Sequence, residues 1–208
     1  MDKELTESQL TFLNGSTLWS KGALFQGKRL LSTLEQSNKL DLLIFEQPQN
    51  YQLYQEQIKQ INEIKDILRY EEDFFILALH NTIFFLSHAA NTFAGFRKIV
   101  DEIENVNGKG QVKDVRDMRV HIDEYSKGKG GVNKDNARFI YESPDDLYPA
   151  GPFADHLFIG DATTSMIFSD AYLIGDRINV QKTLKIIDKL LPDIIKKCKK
   201  YMFPPMEI

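Results

Sequence analysis

Arg116-Asp117-Met118-Arg119-Val120-His121, followed by Ile122-Asp123-Glu124-Tyr125, brings together the side chains best suited to chemistry in this chain. A guanidinium holds a phosphate through paired N–H donors and never loses its charge. An imidazole moves protons near neutral pH. Asp117 precedes His121 by one helical turn, a spacing at which a carboxylate can orient the ring. Arg116 and His121 are five positions apart, so on one helix they point roughly 140° from each other. One helix does not focus both on a single phosphate. Two copies packed across a two-fold axis, with these helices adjacent, can. The same residues also have a plain structural reading: Arg116 pairs with Asp114 or Asp117, and His121 rests against Asp117.

The elements that must position this stretch are mostly helical. Residues 1–50 form an N-terminal extension with helical patches, Leu24 to Leu34 among them; Gly22 and Gly27 weaken it and Gln36-Ser37-Asn38 breaks it. From Tyr51 to about Tyr70, Leu53, Tyr54, Ile58, Ile61, Ile64, Ile67 and Leu68 recur at helical spacing. Glu71 to Glu104 reads as one long helix or two abutting ones, with Phe74 to Leu86 apolar almost all round, as in a central buried helix. Asn107-Gly108-Lys109-Gly110 ends it. A short helix from about Val112 to Ser126 carries the motif, with Val115, Met118, Ile122 and Tyr125 on its core side. Gly128, Gly130 and Gly131 stop it. Arg138 to Tyr141 reads as a short strand or an extended segment, and Ser143 to Phe153, with three prolines, as loop. Thr164–Phe168 and Ala171–Ile174 flank Ser169-Asp170 as a hairpin. Val180 to Tyr201 is a closing amphipathic helix kinked at Pro192. The expected fold is mainly α. It is a single-domain bundle of four or five helices, with a helical core over 51–126, a loop and β-hairpin insertion over 132–178 before the last helix, and that helix over 179–201.

This order of a long buried helix, a short helix opening on Arg-polar-x-x-x-His, and a closing helix resembles the HEPN superfamily. These are small helical domains, many of them RNases or RNase toxins. Their signature is an Arg, commonly followed by Asn, Asp or His, with four to six residues before a His; Arg116, Asp117 and His121 match it. Some members carry a Tyr soon after the His. Tyr125 stands in that place, with three residues intervening where the toxin branch has one. The resemblance covers roughly residues 50–126 and 179–201. It implies a composite site in a homodimer cleft and metal-independent cleavage of RNA through attack of the ribose 2′-hydroxyl, leaving a 2′,3′-cyclic phosphate. It further implies a role in defence or growth control, with an antitoxin-type protein partner. In such a site Arg116, Asp117 and His121 are catalytic and no cofactor is used. Tyr125, Lys127 and Lys129 would contact the RNA. The alternative function is a non-catalytic helical module that uses the same cleft for a protein or nucleic acid.

Composition sets bounds. The net charge of −4 argues against a protein that coats nucleic acid by bulk electrostatics. Seven lysines between Asn179 and Tyr201, against Asp188 and Asp193, form either a solvated helix face or a strip that steers an RNA backbone. Cys198 is the only cysteine, so neither a disulfide framework nor a cysteine-based zinc site is expected. The polar N-terminus and the shortness of the apolar run point to a cytoplasmic protein with no membrane segment. His80 and His88 lie about 12 Å apart along their helix and read as core or interface histidines lining a cleft with Asn81 and Asn91. His156 has no partner at metal-ligand spacing. Lys127-Gly128-Lys129-Gly130-Gly131 lacks the phosphate-loop pattern and reads as a helix stop.

Overall fold

The computed structural model describes residues 4–46, 51–120, 139–141, 158–160, 165–168, 171–175 and 177–203. Among these are five helices: α1 (Glu7–Glu46), α2 (Tyr51–Ala90), α3 (Phe96–Asn107), α4 (Gln111–Val120) and α5 (Val180–Met202). The strands are β1 (Phe139–Tyr141), β2 (Phe158–Gly160), β3 (Ser165–Phe168), β4 (Ala171–Ile174) and β5 (Ile178–Asn179). The fold is mainly α, a helical bundle with a small antiparallel β element before the last helix. The chain divides into two compact units, one of Met1–Ile103 with Leu184–Ile208 and one of Glu104–Thr183.

The first unit is built on α1 and α2, which pack along each other as an antiparallel hairpin. A reciprocal cap starts α1: the Thr6 N–H donates to Gln9 Oε1 at 2.9 Å and the Gln9 N–H to Thr6 Oγ1 at 3.3 Å. The expected break at Gln36-Ser37-Asn38 does not occur, and α1 runs through it. Ser37 is buried. Ser16 and Ser20, further up the helix, return their hydroxyls to the Phe12 and Ser16 carbonyls at 2.7 Å. Such bonds satisfy a buried hydroxyl without leaving the helix. Gly27 is not a weak point either. A Cβ there would collide with Leu184 and Phe75, so the glycine lets both α5 and α2 close on α1.

α2 is likewise one helix where the sequence suggested a junction near Tyr70. The break comes later, over Asn91–Gly95, where Gly95 takes φ +88° and α3 begins at Phe96. α2 is not buried all round. Phe75, Ile76, Leu79 and Leu86 are in the core, but Phe74, Leu77 and Phe84 face solvent. By length and composition alone, the span Gln52–Ala90 is apolar enough to cross a membrane, and 39 % of its most apolar window is buried inside the protein. A core helix passes the same test. Leu13, Leu30, Phe96, Ile99, Ile187 and Ile194 complete this core. Tyr201 closes one end, its ring 4.6 Å from that of Phe93 and its hydroxyl donating to the Ala94 carbonyl at 3.2 Å.

The second unit holds α4 and the strands. Ser169-Asp170 lies between β3 and β4 as expected, with Ser165 opposite Ile174 and Phe168 opposite Ala171. β5 adds a third strand, in the order β3-β4-β5. β1 and β2 form a separate antiparallel pair with Phe139 opposite Gly160. The loop expected over Ser143–Phe153 lies outside the described residues.

Candidate functional site

α4 forms for local reasons. Gly108 and Gly110, at φ +88° and +80°, let the chain leave α3 and turn at once into a new helix. Gln111 donates back to the Gly108 carbonyl at 3.2 Å. Asp114 in the first turn suits the positive end of the helix. Val112, Val115 and Met118 form the buried stripe, as the sequence indicated for the last two. Ile122 and Tyr125 lie outside the described residues.

Polar side chains hold α4 and its surroundings in place. Arg177 Nη1 donates to Gln111 Oε1 at the start of α4. Arg119 Nη2 donates to Ser165 Oγ of β3 at 3.3 Å near its end. Just before α4, Asn107 accepts from the Asn179 N–H at 2.9 Å and donates to Thr183 Oγ1 at 2.8 Å. Asn179 in turn caps α5 by accepting from the Lys182 N–H at 2.9 Å. Gln181 Oε1 accepts from the Tyr172 N–H at 2.8 Å. The helix that carries the motif is therefore tied at both ends to the β element.

Outside the buried stripe of α4, Arg116 and Asp117 have side chains 34 % and 23 % exposed. Arg116 Nη1 forms an ion pair with Asp117 Oδ1, one of the two pairings open to it in the sequence. Its Nε is shielded from solvent and, among the described residues, has no hydrogen-bond acceptor. A buried donor left without an acceptor costs about 1–3 kcal/mol. The guanidinium is thus oriented by one carboxylate and still short of an oxygen. His121, Tyr125, Lys127 and Lys129 lie outside the described residues. The structure therefore brings Arg116 and Asp117 together and is silent on the other four.

Other candidates resolve into packing. His88 stacks on Phe12 at 4.7 Å and leans on Phe84 at 4.4 Å, an ordinary aromatic contact within the hairpin. The α5 lysines behave mainly as a solvated face: Lys189 pairs with Glu102 at 3.3 Å and Lys197 with Asp193 at 3.5 Å. Among the described residues no three of His, Cys, Asp or Glu gather so as to hold a metal ion. Cys198 is buried in the first unit; burial pushes its thiol pKa up, and a hydrogen bond with Thr17 opposes that shift. A thiol held neutral is a poor nucleophile.

Sequence reasoning missed an open groove of about 870 Å³ in the first unit, between α1 and α5. Leu18, Trp19, Phe85, Ile195, Met202 and Phe203 give it an apolar lining, with Lys21 and Lys199 also on its walls. Gly15 is what lets Phe85 reach it from α2, since a Cβ at that position would overlap the ring. Nothing in the local sequence pairs these residues, because they come from three helices.

Set against family models, curated proteins and solved structures, the chain matches none of them.

Proposed function

We propose that α4 carries the site of a metal-independent endoribonuclease of HEPN type. The observation that supports it most directly is the state of Arg116. Its guanidinium is held by Asp117, and its shielded Nε has no acceptor among the described residues. A phosphate oxygen is the ligand such a group accepts best. The motif residue His121 follows Arg116 by five positions. In the proposed reaction His121 takes the proton from a ribose 2′-hydroxyl, and the 2′-oxygen attacks the adjacent phosphorus. The bond to the 5′-oxygen breaks, that oxygen takes the proton now carried by the His121 imidazolium, and a 2′,3′-cyclic phosphate remains. Arg116 stabilises the charge that builds on the phosphoryl oxygens. Asp117 acts as a positioning residue for Arg116. The attacking oxygen belongs to the substrate, so the chain has to supply only a proton acceptor and a cation. A second copy, with its own motif helix adjacent, completes the site.

The test is cleavage of mixed single-stranded and structured RNA in the presence of a chelator. His121→Ala is expected to lower the rate by about 10²–10⁴-fold, and Arg116→Ala by about 10²–10³-fold, with helicity unchanged. Products should end in a cyclic phosphate. A His121→Ala variant as active as the parent overturns the reading.

A second reading is favoured by the groove. Leu18 and Phe203, at 66 % and 74 % exposed, leave a concave apolar surface of the kind that takes a protein segment. On that reading the chain is a non-catalytic interaction module. Absence of cleavage by the unmodified protein on every RNA class, together with capture of a partner that Phe203→Ser releases, would select it.

A further inference from the structure

Along α2, Ile67, Tyr70, Phe74, Leu77 and Phe84 are 48, 65, 55, 40 and 44 % exposed. Their steps are three, four, three and seven residues, and half-buried Asn81 splits the last into four and three. Six consecutive positions therefore follow the alternation of an a/d seam, the pattern by which one helix packs against another along its length. The opposite side of α2, with Glu71, Phe75, Ala78, Thr82 and Ala89, is buried. A helix covered on one side and apolar in register on the other has the pattern of a bundle helix with one neighbour missing.

We propose that this neighbour is α2 of a second copy, packed antiparallel, so that two α1–α2 hairpins lie back to back about a two-fold axis. Size supports it. The three aromatic residues carry about 150–250 Å² each, Ile67 and Leu77 somewhat less, and the five are about half exposed, so the row leaves on the order of 500 Å² uncovered. Two copies then bury on the order of 1,000 Å², the range where specific interfaces begin. The register supports it as well. With a set against d, Ile67 meets Phe84 of the second copy, Phe74 meets Leu77, and Tyr70 meets Asn81. All six positions find partners, and the one polar member of the row meets the one hydroxyl that can bond its amide. Pairing in parallel would instead set Asn81 against Asn81 and leave each Tyr70 hydroxyl facing its own copy. At the far end the row is closed by His88, which packs on Phe84 and Phe12. This inference stands apart from the ribonuclease reading and does not need it.

Sedimentation equilibrium of the full chain tests the seam. The expected result is a dimer that Leu77→Lys and Phe74→Lys each weaken by at least ~30-fold, the effect of losing a central contact, while far-UV circular dichroism stays unchanged. Phe203→Ser, in the groove just after α5, should leave the dimer as it is. Orientation is read by oxidative cross-linking in a Cys198→Ser background. Phe74→Cys mixed with Leu77→Cys should cross-link faster than either alone; rapid self-cross-linking of Phe74→Cys would mean a parallel pair and overturn the proposal. So would a parent chain that stays monomeric to ~100 μM, a level well above a typical specific Kd. A dimer lost with Phe203→Ser but kept with Leu77→Lys, or a monomer that binds phospholipid vesicles through Phe74 and Leu77, would overturn it equally.

Discussion

In the unit built on α1 and α2, the Arg29–Glu71 ion pair joins the two helices, but the tightest packing is of carbon against glycine. Gly27 admits Leu184 and Phe75, Gly15 admits Phe85, and the buried hydroxyls of Ser16, Ser20 and Thr82 close on their own helices rather than on neighbours. In the unit that carries α4, the joints between elements are amides and guanidinium groups: Asn107 to Asn179 and Thr183, Gln111 to Arg177, Arg119 to Ser165. The first kind of joint depends on shape and tolerates little added volume. The second depends on each donor finding its acceptor and fails when one member is removed. A site that handles charge is better mounted on the second kind, because its neighbours are already polar.

The sharpest way to break this contrast is at Gly27. Gly27→Ala improves intrinsic helix propensity by about 1 kcal/mol, yet it should destabilise the protein by about 1–3 kcal/mol net, because the new methyl is driven into Leu184 and Phe75. Urea unfolding would measure it, and a stabilised variant would show that the helices can separate without cost. Asn107→Ala comes next. It strips Thr183 of a donor and the Asn179 N–H of an acceptor, at a cost of about 1–2 kcal/mol. It should also loosen α4, visible as faster amide exchange over Gln111–Val120. Thr6→Ala is the smallest. Losing one side of the reciprocal cap costs about 1 kcal/mol, is confined to the start of α1, and should leave the α4 unit untouched.

The two kinds of joint also explain what the sequence discloses. Apolar spacing found the helices, the closing stripe of α5 and the buried face of α4, since Val115, Met118, Leu184, Ile187, Leu190 and Ile194 are all buried. It found the β3–β4 hairpin from two short, mostly apolar runs on either side of Ser169-Asp170. It misjudged α1 at Gln36-Ser37-Asn38, because residues that favour turns in isolation are held helical by packing, and it divided α2 near Tyr70, where the spacing of apolar residues gives way to a denser apolar run. It read the run from Phe74 as buried on every side because composition alone does not distinguish a covered apolar face from an uncovered one. Arg116 and Asp117 were legible as a pair, being adjacent. Asn107, which looks like a simple helix end in the sequence, also bridges to residues more than seventy positions away, and no local pattern carries that information.

The lengths of the helices have one further consequence. α1 and α2 each have 40 residues and so extend about 60 Å, while α5, with 23, extends about 35 Å. Because Leu184 packs at Gly27 and Phe75 and α5 runs from there toward Phe93 and Ala94, only one half of the hairpin has this third helix against it. The other half, toward Glu46 and Tyr51, depends within this unit on one strand of contacts between two helices. Amide protons there exchange through local fraying, at a free energy well below that of global unfolding. Those near Phe75 to Leu86 wait for the whole core to open. One continuous helix thus has a stiff end and a yielding end, and the uncovered apolar row of α2 runs from one into the other.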